Sequence, residues 1–208
     1  MALTWPLLVR KAPVQGSWGA QVSFDETDAN RSMSRYAKGD NEAFAAVYDA
    51  LAPRLLMFLT RWFRNAAAAE DALQQTFLRM HDARSRFVPG APVAPWAFAI
   101  ARRVSLDARR RTKVEQTYVD PQTHHEAATD VGTSPHALVV AAELEGQLVS
   151  AIDGLPEPLR EALLLVRDTG LSTRDASLVL GVTEVALRLR VSRAMARLRE
   201  SLGLEGVS

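Results

Sequence analysis

The chain has 208 residues, 25 Lys plus Arg against 24 Asp plus Glu, 48% apolar residues and no Cys. That length allows one domain or two small ones, the apolar content excludes a wholly disordered chain, and the lack of Cys excludes disulfides, thiolate metal sites and a Cys nucleophile. A net charge of +1 argues, taken as a single total, against nucleic-acid binding.

Residues 1–30 hold Pro6, Pro13, Gly16 and Gly19 and then Asp25, Glu26 and Asp28, the composition of a flexible N-terminal extension. Trp5 and Trp18 give it a second reading as a short partner-binding segment. No basic stretch precedes the apolar start, so a signal peptide is not expected. No apolar run approaches the roughly 18–20 residues of a membrane-spanning helix, so no direct membrane insertion is expected, and a reducing cytoplasm suits the Cys-free chain.

Alternating strand patterns are missing, whereas helical spacing recurs. Phe44, Val47, Tyr48 and Leu51 fall on one face, continued by Leu55, Leu56, Phe58, Leu59 and Phe63 beyond Pro53, which tolerates a first turn or a kink. Leu73, Phe77 and Met80 mark another helix, with Glu70 and Asp71 expected in its first turn at the positive end of the dipole. Pro89, Gly90, Pro92 and Pro95 break the chain before a helix over Trp96 to Arg111, with Trp96, Ile100 and Val104 on one side. These elements make a four-helix module over residues 31–111.

Residues 112–135 are rich in Thr, Asp, Gln, Gly and Pro without apolar periodicity, and read as a flexible linker. Within it, His124 and His125 read as solvated loop rather than metal ligands. The second module covers residues 136–208. Leu138 to Ile152 suggests one helix, stopped by Gly154 and Pro156, and Pro158 starts the next, with Leu159, Ala162, Leu163, Leu165 and Val166. Ser172 is placed to cap a helix through Ala176, Val179 and Leu180. Gly181, Val182 and Thr183 turn the chain into a final helix whose buried side is Ala186, Leu187, Val191, Ala194, Met195 and Leu198.

The near-zero charge is a cancellation between segments. Residues 31–111 carry 14 basic and 7 acidic side chains, whereas residues 112–135 carry one and four, and residues 136–208 carry 8 and 10. Even so, Arg188, Arg190, Arg193, Arg197 and Arg199 crowd the last helix. Two short helices joined by a Gly turn, the second studded with Arg, are the signs of a helix-turn-helix. Such a helix fits the major groove, its N-terminus suits phosphate, and Arg supplies base contacts and phosphate neutralisation. The fold class expected is all-α: two small helical domains joined by a flexible linker, the second containing a helix-turn-helix.

With these motifs in place, the chain resembles an RNA polymerase sigma factor of the extracytoplasmic-function (ECF) group. In the first block the matching residues are Gly39-Asp40, Ala43-Phe44, Tyr48, Pro53-Arg54, the run from Glu70 to Arg79, Trp96, Ile100-Ala101-Arg102, Asp107 and Arg110-Arg111. In the second they are Leu155-Pro156, Arg160-Glu161, Gly170-Leu171-Ser172, Ala176, Leu180-Gly181-Val182-Thr183, Arg188, Arg190, Arg193-Ala194 and Arg197-Leu198-Arg199.

The resemblance implies a sigma region 2 domain over residues 31–111 and a sigma region 4 domain over residues 136–208. It implies core RNA polymerase as partner, met by Asp71, Gln74, Gln75, Phe77 and Arg79. The minus-ten element, as melted strand, falls to Trp96, Arg102, Arg103, Arg109, Arg110 and Arg111, in keeping with the aromatic and Arg surfaces that single strands need. Duplex of the minus-thirty-five element falls to Thr183, Glu184, Arg188, Arg190, Arg193 and Arg197. Family members commonly have Glu at Gln75, Asn at Arg103, and small or polar residues at Val185 and Leu189, so this chain departs at those positions. An anti-sigma factor is a further partner implied by the resemblance.

The function expected is therefore promoter-specific initiation by recognising and melting promoter DNA, with no catalysis and no cofactor. The alternative is a conventional helix-turn-helix regulator that binds duplex without polymerase. An enzyme is disfavoured, since no phosphate loop, paired metal-ligand motif or nucleophile elbow is present.

Overall fold

A computed structural model of the chain describes residues 26–118 and 146–204. The first module comprises α1 (Glu26–Ala37), α2 (Ala43–Phe63), α3 (Ala66–Ala83) and α4 (Val93–Tyr118), with a 3-10 turn at Arg84–Arg86. The second comprises a helix over residues 146–153, here α5, followed by α6 (Glu157–Asp168), α7 (Thr173–Leu180) and α8 (Glu184–Ser201). The described residues are all-α, and the C-terminal α7–α8 pair is the expected helix-turn-helix.

Helix α2 is the hub. Val47, Leu51, Leu55, Phe58 and Leu59 are fully buried, and the helix runs unbroken through Pro53. At 21 residues it has the length and apolar character of a membrane span, which corrects the expectation that no such stretch exists. Its apolarity has another cause: it packs against α1, α3, α4 and α6, so most of its circumference meets protein.

Three boundaries differ from the sequence reading. Helix α1 includes residues 26–30, which the sequence reading assigns to the extension; its buried stripe, Ala29, Met33 and Tyr36, is too narrow to stand out as a helical pattern. Helix α4 continues to Tyr118, into the segment read as linker. Helix α3 begins at Ala66, where the Asn65 side chain accepts from the Ala68 amide. Glu70 and Asp71 thus lie in the second turn, and the cap is Asn65. Trp5, Trp18, His124, His125 and the linker residues 119–135 lie outside the described residues.

The turns of the second module form as their chemistry dictates. Ser172 accepts from the Asp175 amide at 3.0 Å and Thr183 from the Ala186 amide at 3.2 Å, so each helix of the pair is capped. Gly181 sits at φ 66°, the left-handed conformation that glycine adopts without strain.

The two modules pack on each other. Ala162, Leu164 and Leu165 of α6, Leu171, and Ala176, Val179 and Leu180 of α7 join one buried cluster with α2 and α4 side chains. A smaller cluster of Ala151, Leu155, Leu163, Ala194 and Leu198 ties α5 and α6 to α8.

Candidate functional site

Three surfaces carry the residues singled out by the sequence. On α3, Asp71, Gln74 and Gln75 are exposed. They continue into Leu78, an apolar side chain left 45% exposed. Spacings of three, four and seven put these four on a single face. Leu78 was not among the expected polymerase residues, although the same spacing identifies it. Phe77 lies on the other side: it is buried and packs against Tyr48 with ring centroids 4.6 Å apart and edge-on to Phe44 at 5.9 Å. It therefore supports the helix from within. Arg79 donates to Asp107 of α4 at 3.0 Å, fixing α3 against the arginine-rich part of α4.

On α4 the core side is Val93, Ala94, Ala97, Phe98, Ala101 and Val104. Trp96 and Ile100 are half-buried at its margin, Trp96 edge-on to Phe87 with centroids 5.2 Å apart. Arg103, Arg109, Arg110 and Arg111 are exposed. Arg102 and Arg109, however, meet acids of the second module. Arg102 pairs with Glu161 at 3.0 Å and Arg109 with Glu157 at 3.3 Å, while Arg64 at the end of α2 pairs with Asp153. Three acids of the slightly acidic module thus face three cations of the basic one. Half-exposed pairs such as Arg109–Glu157 contribute little, about 0–1 kcal/mol each. Glu161 is different, with a side chain 5% exposed.

Below these pairs lies Arg54, buried inside α2. Its Nε donates to the Thr169 carbonyl at 2.7 Å, and Nη2 donates to the same oxygen. A cation here meets the negative end of the α6 dipole. Gly170 follows at φ +65°, and a Cβ there would stand 3.4 Å from Arg54 Nη2, so both backbone and space favour glycine. Trp62 has Arg109 and Arg160 at 6.0 and 5.9 Å from its ring. Burial lowers the pKa of Arg54 and of Arg160, and the charge of Arg109 lowers the latter further. Desolvating arginines is costly, and for Arg54 the Thr169 carbonyl offsets part of that cost. None of Arg54, Arg64 or Trp62 was foreseen in this role.

On α8, Arg188, Arg193 and Arg197 are exposed and Arg190 half-buried. Arg188 donates to Glu184 at 2.8 Å, one turn earlier, and Thr183 caps the helix. The expected minus-thirty-five residues thus share one helix and its N-terminus. Leu187, Ala194 and Leu198 are buried, leaving the opposite side to solvent.

Two family models match the chain: Sigma-70 region 2 over residues 47–114, and Sigma-70, region 4 over residues 145–198. The RNA polymerase sigma factor CarQ of Myxococcus xanthus is 34% identical over 82% of this chain and 95% of its own length. The ECF RNA polymerase sigma factor SigF of Caulobacter vibrioides is 32% identical over 85% of this chain and 95% of its own. The chain belongs to the ECF RNA polymerase sigma factor family. As a sigma factor it serves core RNA polymerase and directs promoter-specific initiation, and the conventional regulator is not favoured. Among solved structures, the fold resembles CnrH in complex with the cytosolic domain of CnrY (TM-score 0.64, 23% identity, 86% of this chain and 99% of that one). It also resembles the sigma factor RpoE in complex with the anti-sigma factor NepR from Bartonella quintana (TM-score 0.66, 24% identity, 79% of this chain and 99% of that one).

Proposed function

We propose that residues 31–111 and 136–208 of this sigma factor divide the work. The exposed stripe Asp71, Gln74, Gln75 and Leu78 docks on core polymerase. Arg103, Arg110 and Arg111, joined by Arg102 and Arg109 once these leave their acids, hold the melted minus-ten strand. Helix α8 reads minus-thirty-five duplex. Within the first module the observation that carries this reading is the Arg79–Asp107 pair, which sets the α3 stripe beside the α4 arginines, so that a docked polymerase delivers the strand-binding surface with it. Phe77 and the half-buried Trp96 support these surfaces from the core side.

The closed packing has to open for this work. Promoter elements centred at minus ten and minus thirty-five lie about 25 base pairs apart, roughly 85 Å at 3.4 Å per pair. A compact unit of this size is about 40 Å across. After Tyr118, the linker residues 119–135 reach at most about 60 Å when extended, which together with the width of the modules themselves spans the two elements. Glu157 and Glu161 stand where backbone phosphates would otherwise meet Arg109 and Arg102, and opening releases both. The Glu161→Arg variant is expected to separate the modules, seen as a larger radius of gyration by small-angle scattering with helicity retained. The charge-swapped pair Glu161→Arg with Arg102→Glu is expected to close again.

The protein carries no catalysis of its own and acts in the cytoplasm, where the polymerase works. An anti-sigma factor is its regulator, a reading supported by the NepR complex of the structurally similar RpoE. Fluorescence anisotropy with a labelled promoter tests the division: weak, salt-sensitive binding by the protein alone and tight, sequence-dependent binding with core polymerase are expected. Equally tight specific binding without polymerase contradicts it.

A further inference from the structure

The outward pole of α8 is not arginine. On a helix of 3.6 residues per turn, the side opposite Leu187, Ala194 and Leu198 is occupied by Val185, Leu189, Ser192 and Ala196, with Glu200 only at its far, C-terminal end. Arg188 and Arg199 lie along one flank of this stripe and Arg190, Arg193 and Arg197 along the other. Val185 is 71% exposed and Leu189 48% exposed. Single exposed apolar residues are ordinary on a surface. Here two of them, one turn apart, occupy the first two turns of the second helix of a helix-turn-helix, the part that reaches base edges when such a helix lies in the major groove.

Neither side chain has a polar atom, so neither reads a base by hydrogen bonding. The apolar group exposed on the major-groove floor is the C5 methyl of thymine. Arginines on both flanks match the phosphates on the two walls of the groove, and the Thr183-capped N-terminus of α8 adds positive potential at the same end. This charge arrangement selects nucleic acid as the occupant of the apolar stripe. Resting on the assignment of α8 to the minus-thirty-five element, we infer that Val185 and Leu189 are specificity-determining residues that recognise thymine methyl groups there, while Arg193 and Arg197 bind phosphate. Two of the four positions at which the chain departs from its family then become the source of its own promoter preference.

Replacing thymine by deoxyuridine removes the methyl and keeps every hydrogen-bonding group. The full-length protein with core polymerase is titrated against promoter duplexes carrying this replacement at each minus-thirty-five thymine in turn, beside a duplex with the element scrambled. Binding by the unaltered protein is expected to weaken about fourfold at one or two positions, the effect of one buried methyl. In Val185→Ala or Leu189→Ala the same replacement is expected to make no difference at the matching position. By contrast, Arg193→Ala is expected to weaken all duplexes alike and lower the salt slope by about one. Indifference to deoxyuridine at every position, with scrambling still harmful, overturns thymine reading and leaves the role of α8 standing. Indifference to scrambling as well overturns both. Equal weakening of thymine and uracil duplexes by Val185→Ala and Leu189→Ala also overturns it, and directs attention to a protein partner for the stripe.

Discussion

Replacing Asp71 with Arg is expected to weaken association with core RNA polymerase by at least about 30-fold, because setting a like charge where a carboxylate is complemented costs about 2 kcal/mol or more. Asp71 is exposed in the second turn of α3, beyond the Asn65 cap, so the substitution leaves the packing of the bundle intact. Thermal melting is therefore expected to stay within about 0.5 kcal/mol of the unaltered protein, which separates a docking defect from a folding defect. Leu78→Ala is the companion test. As an apolar anchor in a stripe with polar surroundings, Leu78 has the character of an interface centre, and its truncation is expected to reduce polymerase binding without affecting binding of isolated promoter DNA. Co-elution with core polymerase reads both variants.

The second large effect is in the core. Phe58 is fully buried on α2, edge-on to Phe98 of α4 with centroids 5.7 Å apart and 5.6 Å from Trp62. Phe58→Ala removes a ring that supports both the N-terminal bundle and, through Trp62, the face that receives the second module. Truncating a buried Phe costs about 3–5 kcal/mol, a large part of the roughly 5–15 kcal/mol that holds a domain together. For a unit of this size the melting temperature is expected to fall by roughly 10 °C or more. Met57, the neighbour on the same helix, is 39% exposed, and Met57→Ala is expected to move the midpoint only slightly. Calorimetry compares the two. Equal effects contradict the placement of α2 at the centre of the core.

Much of this organisation was legible from residue pattern. The helix-turn-helix followed from Ser172, Gly181 and the arginine helix, since caps and a left-handed glycine act locally and need no tertiary context. Spacing likewise marked Leu73, Phe77 and Met80 as one face. Phe77 then shows how two lines of reasoning diverged: periodicity assigned it to the core, family resemblance to the polymerase contact, and the structure has it buried. Helix α1 escaped notice because an Ala, a Met and a Tyr three to four residues apart make too narrow a stripe to stand out in a polar stretch.

The packing between modules was not legible for a different reason. Arg54 and Arg160 stand in the sequence only as residues matching the family pattern and Arg102 as a strand contact, and only the folded chain shows that Arg54 meets the C-terminal end of α6, that Glu161 lies buried against Arg102, and that Arg160 lies near Trp62. Partitioning charge gave a basic first module and an acidic remainder. It did not show that Asp153, Glu157 and Glu161 face the cations of that module, because residue counts carry no geometry. The same limit hid the apolar pole of α8: the arginine count drew attention to the flanks, and the exposed Val185 and Leu189 emerged once the buried side was fixed.

The central claim is that this chain gives core polymerase its promoter. Run-off transcription with purified core polymerase, on templates bearing the promoter located by sequencing transcripts after overexpression, measures it directly. The protein is expected to produce a transcript of defined start that core polymerase alone does not make, and Asp71→Arg is expected to abolish it. A transcript yield no higher with the protein than without it, on a template that it binds, contradicts the account.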